Sequence, residues 1–168
     1  MIKEISKKEI SYYYFQQNTY PVYHAFVKKF ERKNMTPINY DKPIVYGMNI
    51  KIKDLLKLAL KENAKGSGIL FVEGRISTHA LHKKLEKFPG FPPNSLPIFS
   101  CDLIENMPKL DTKEGQELIE KSIGNRKLII FDDLKTLFPS CILVPDNKFV
   151  KQWFSSLKER GISIILKY

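Results

Sequence analysis

Three observations predict an α/β fold built on a mostly parallel five-stranded sheet with helices on both faces. From residue 42 onward, segments of strand and helix character alternate. The strand segments GILFVEG, LPIFSC, KLIIFDD and ISIILKY are apolar almost throughout, as strands covered on both faces are. The chain's 168 residues, 43% of them apolar, suffice for one domain with a real core.

The elements follow in order. Residues 1–40 form an aromatic N-terminal extension, and Val22, Phe26, Val27 and Phe30 give a helical spacing between residues 22 and 33. Pro37 ends that helix. Ile44 to Tyr46 is a short strand, and a leucine-rich helix is expected from about Asp54 to Lys65, stopped by Gly66. GILFVEG is the second strand. STHALHKKLEKF is a helix capped by Ser77, and PGFPPNSLP is a loop. LPIFSC is the third strand, followed by a helix over DTKEGQELIEKSI capped by Asp111 or Thr112. KLIIFDD is the fourth strand. DNKFVKQWFSSLKERG is a helix closed by Gly161, and ISIILKY is the fifth strand.

Composition narrows the function classes. No apolar run reaches the length of about 18 residues that a membrane span needs, and the N-terminus has no apolar signal-peptide core. A cytoplasmic protein with no membrane partner is expected. Cys101 and Cys141 show no CxxC spacing, so neither a zinc site nor a disulfide framework is indicated, and both are read as buried thiols. His79 and His82 lie three apart on one helix without a third ligand nearby, and His24 is read as structural. No metal site is assigned.

The net charge of +10 favours a polyanionic partner. Only Arg32, Arg75, Arg126 and Arg160 are arginines, so lysine carries most of the charge and phosphate contact is favoured over base reading. Candidate nucleic-acid contacts are Lys28, Lys29, Arg32 and Lys33 in the N-terminal helix, Lys51 before the next helix, and Lys83 and Lys84 on the following one. A solvated lysine face is the competing explanation.

The stretch KPIVYGMNIKIKDLLKLALKEN, residues 42–63, has the layout of a phosphate-binding loop: strand, glycine, and a lysine six residues later, then a helix. Gly47 and Lys53 are correctly spaced. Ile52 stands where a second glycine belongs, and Asp54 stands where a magnesium-binding hydroxyl belongs. A β-branched residue is the worst substitute where the backbone needs positive φ. Asp54 is better placed to cap the helix beginning at Leu55. A second element is Asp132 at the end of KLIIFDD, the place where such proteins hold magnesium.

In order and spacing, four segments resemble the RepA-like hexameric helicase ATPases, a branch of the RecA-like fold. They are GILFVEGRIS, LPIFSCDLIENMPKLDTKEGQELIEKSI, KLIIFDDLKTLF and VKQWFSSLKERGISIIL, and the likeness spans roughly residues 42–168. It implies a three-layer RecA-like domain over residues 41–168, shortened at its C-terminus. Strand one is expected centrally, beside the strand that ends in Asp132. Gly47, Lys53 and Asp132 are then the vestigial nucleotide positions. Arg75 stands where the family carries the Glu that activates water, and Glu73, two residues upstream, is expected to point away from the site. Lys167 and Tyr168 stand where the family continues toward a His-bearing segment. The resemblance therefore implies a non-catalytic pseudo-ATPase without cofactor. Such a module would act in DNA replication, on DNA or beside a RecA-like ATPase subunit or a second copy of itself. The alternative is a divergent NTPase that still binds magnesium nucleotide.

Overall fold

The computed structural model describes residues 40, 41, 43, 45–48, 50–91, 95–141 and 147–167. The segment 22–33 expected to be helical, His24 and the candidate contacts Lys28, Lys29, Arg32 and Lys33 lie outside them.

The strands are β1 (Val45–Met48), β2 (Ile69–Glu73), β3 (Ile98–Ser100), β4 (Leu128–Asp132) and β5 (Ser163–Lys167). The helices are α1 (Ile52–Ala64), α2 (Thr78–Leu85), α3 (Lys113–Ile123), a single turn α4 (Leu134–Leu137) and α5 (Lys148–Glu159). The sheet has the order β1-β5-β4-β2-β3, and every pairing is parallel. All residues of β2, β4 and β5 are buried. That is why their sequences run apolar without alternation.

Residues along each strand divide between two cores at period two. Ile69, Phe71, Leu128, Ile130 and Ile165 face one side with Leu55, Leu56, Ala59 and Leu60 of α1 and Leu81 of α2. Leu70, Val72, Ile129, Phe131, Ile164 and Leu166 face the other with Ile119 and Ile123 of α3 and Phe154 and Leu157 of α5. Helices thus cover both faces, as expected. The second core holds the rings of Phe131, Phe138, Trp153 and Phe154, with centroids 5.2 to 6.4 Å apart. Edge and stacked contacts of this kind add to plain burial.

Most caps fall where expected. Ser77 accepts from Ala80 N at α2, and Thr112, not Asp111, accepts from Gly115 N at α3. Asp111 instead accepts from Ser140 N at 2.7 Å. Gly66 and Gly161 close α1 and α5 with φ of +80° at each, a conformation that side chains with a Cβ resist. The turn α4 is too short for periodicity to register.

Two expectations fail. β1 lies beside β5, not beside β4: Val45 pairs with Ile164 and Met48 with Lys167. The last strand inserts between the first and the fourth, an order that local sequence does not encode. Asp54 is not the cap of α1. The helix begins at Ile52, its N-cap is Lys51, and no side chain closes it. Among the described residues, no helix is long and apolar enough to cross a membrane.

Candidate functional site

The connections set the place where a ligand would sit. After β2 the chain moves outward to β3, and after β4 it moves back to β5. β2 and β4 are neighbours, so their carboxyl ends form the point where the sheet's winding reverses. In open α/β sheets, ligands bind in the crevice outside such a point.

Two carboxyl groups meet there. Glu73 ends β2, Asp132 ends β4, and the two pair directly in register. Both are buried, Glu73 at 1% and Asp132 at 0% exposure. Each lies two residues beyond a side chain of the α1/α2 core, Phe71 and Ile130, so both point to that side of the sheet. Lys167, at the end of β5, donates to Asp132 Oδ1 at 2.5 Å and is itself buried. Glu73 Oε1 accepts from the backbone of Arg75 at 2.6 Å and of Ile76 at 2.9 Å. Glu73 Oε2 and Asp132 Oδ2 are buried without partners in the protein.

Burial pushes the Glu73 carboxyl up to about 7, its two backbone donors pull it back, and the neighbouring Asp132 raises it further. A proton on Glu73, directed at Asp132, answers both orphan oxygens at once. Below about pH 7 the Glu73 carboxyl is mostly the neutral acid, beside the Lys167–Asp132 pair. Glu73 does not point away from this place, as the sequence suggested. It is drawn in as the direct neighbour of Asp132, and the signal available was its position at the end of an all-apolar strand.

The phosphate-loop position is the larger departure. Gly47 lies within β1, paired with Leu166, and so is not the first residue of a loop. Only residues 49–51 separate β1 from α1. Lys53 is already inside the helix and exposed. Three residues cannot make the wide turn whose backbone N–H groups surround a phosphate. Ile52 and Asp54, which break the motif in sequence, are ordinary first-turn residues of α1.

These residues do not fit magnesium nucleotide. The carboxylate that would hold the metal already faces an ammonium, Asp54 stands where the hydroxyl ligand would be, and no loop among the described residues cradles phosphate. Among the described residues, no three His, Cys, Asp or Glu side chains gather as a metal site. His79 and His82 are both exposed on α2.

A cleft of about 370 Å³ opens at the same edge of the sheet, on the side of the α3/α5 core. Leu110 and Leu137 belong to its floor, and Arg75, Asp102 and Lys109 line it. Gly74 sits beneath, where an added Cβ would meet Leu137 at 2.5 Å. Asp102 accepts from Thr78 N at 2.9 Å, Thr78 Oγ1 at 2.7 Å and Ser100 Oγ at 2.7 Å. The Ser100 and Thr78 hydroxyls, with the Thr78 amide, hold its carboxyl down at about 2. This acid thereby fills the N-terminus of α2 with the protein's own anion. Burial, with Glu73 nearby, pushes the Cys101 thiol up to about 11, so it stays protonated and unreactive at neutral pH.

The remaining candidate contacts are on the surface. Lys51 and Lys83 are exposed, and Lys84 is half-buried. They lie on α1's cap and on α2, which share one face of the sheet.

No family model matches the chain, and a search of characterised proteins finds no similar sequence.

Proposed function

We propose that this chain is a non-catalytic RecA/RepA-like domain that serves as a binding module, either on nucleic acid or as an accessory beside a replication helicase. The observation that carries the reading is the Lys167 ammonium on Asp132. It places beside Asp132, from within the protein, the positive charge that a bound magnesium ion would otherwise supply. The three-residue link from β1 to α1 and the cation Arg75 in place of a catalytic acid support the same reading. The net charge of +10 supports a polyanionic partner. Two cysteines outside any disulfide accord with a reducing cytoplasm.

One observation favours the alternative, a divergent NTPase: the orphan oxygens of Glu73 and Asp132 are the kind of group a cation satisfies. Steady-state ATP hydrolysis separates the two. The binding-module reading expects no turnover above background, because loss of a general base alone commonly costs a factor of about 10² to 10⁴. Turnover near one per second that disappears in Lys53→Ala supports the NTPase instead.

A further inference from the structure

We infer that the outer surface of α1 is a track for the phosphate backbone of a nucleic acid. The inference rests on the nucleic-acid branch of the reading above and gives that branch a location. Lys53, Lys57 and Lys61 recur every four residues, and all three are exposed. On a helix this spacing stacks them in a column with steps of about 6 Å. That step is comparable to the distance between successive phosphates of one strand. None of the three forms an ion pair with another described residue.

At its N-terminal end the column works against the helix that carries it. Like charges four residues apart repel. Cations at the start of a helix oppose its dipole; Lys51 is the N-cap and Lys53 is in the first turn beside Asp54, while Lys61 lies in the last turn, where the dipole favours it. A surface made only for water has no need of this. On α3, Lys113 pairs with Glu117 at 3.6 Å, and Lys121 follows Glu117 at the same favourable spacing. A local choice that contradicts the helix's own preferences marks a place shaped by something outside it. A polyanion removes the repulsion on binding and releases its counterions. Beneath the column, Leu55, Leu56, Ala59 and Leu60 anchor α1 in the core, so the cations ride on a fixed element. Lys83 and Lys87 on and after α2 extend the same face.

The test is fluorescence anisotropy with labelled single-stranded and duplex DNA between about 50 and 200 mM salt, on the full chain. Three engaged phosphates give a slope of log affinity against log salt of about −2 to −3, or at least a 10-fold loss over that range. The triple variant Lys53→Gln, Lys57→Gln, Lys61→Gln is expected to flatten that slope by about 2 to 3. A charge-matched control on the opposite face, Lys113→Gln, Lys121→Gln, Lys148→Gln, leaves it unchanged. All six positions are exposed, so both variants keep the fold. Equal losses in the two variants would overturn the inference, since net charge alone would explain them. An unchanged slope in the α1 variant would also overturn it, placing nucleic acid elsewhere while the binding-module reading stands. No binding to either DNA at micromolar protein would remove the nucleic-acid branch itself. Retention on anionic vesicles without DNA binding would assign the column to a lipid surface.

Discussion

The carboxyl edge of the sheet and the outer surface of α1 treat charge in opposite ways. At the edge the buried charges are answered inside the protein. Lys167 meets Asp132, backbone amides meet Glu73, and Asp102 closes the start of α2. On α1, Lys53, Lys57 and Lys61 form no ion pair with another described residue, and no side chain caps the helix start. The first region closes its buried charges on one another. The second leaves its electrostatics open for a partner. What separates them is burial: an unanswered charge is intolerable in the interior, whereas on the surface water screens it at small cost.

The largest test of this contrast removes the interior cation. Lys167→Met leaves Asp132 buried without its cation, and should cost about 3–5 kcal/mol in chemical denaturation. Adding Asp132→Asn should recover most of that loss, since the uncompensated charge is then gone. A loss below 1 kcal/mol in the single variant would mean that the edge is not closed by this pair.

Glu73 provides the next test. Its carboxyl is raised from the ordinary 4.5 to about 7. The folded state therefore holds a proton that the unfolded chain has lost between those values. Stability should be full below about pH 4.5 from this group and fall as pH rises to about 7, by up to about 3 kcal/mol. Glu73→Gln, which keeps the acceptor for the Arg75 and Ile76 amides, should flatten that slope. An identical pH profile in the variant would sink the shared-proton account.

Smaller effects follow at the helix starts. Ser77→Ala removes the side-chain acceptor of α2 and should cost about 1 kcal/mol, read by thermal or urea unfolding. Lys57→Gln, in the middle of the α1 column, should instead stabilise by a few tenths of a kcal/mol at low salt. That gain should vanish at 1 M salt. A destabilised Lys57→Gln would mean that the column makes contacts the helix depends on.

The fold was largely legible in the sequence. Unbroken apolar strands announced a buried parallel sheet, and Ser77, Gly66 and Gly161 marked helix ends through rules that act within a few residues. The sheet order was not legible. The insertion of β5 beside β1 depends on which helix covers which face, and no single segment carries that. The phosphate-loop layout misled in an instructive way. Gly47 and Lys53 had the right spacing, but strand pairing claimed Gly47 and helix formation claimed Ile52 and Lys53. The Glu73–Asp132–Lys167 row was missed because it joins three strands far apart in sequence. Charges ending apolar strands were its only trace.

The central claim is that the segment from Gly47 to Lys53 does not receive nucleotide. It is tested most directly by thermal unfolding of the full chain against magnesium ADP and magnesium ATP up to millimolar concentration. A specific ligand must raise the midpoint as its concentration passes its dissociation constant. The account predicts no shift with either nucleotide, for the wild type and for Lys53→Ala alike. A saturable rise in the wild type that is lost in Lys53→Ala would contradict it.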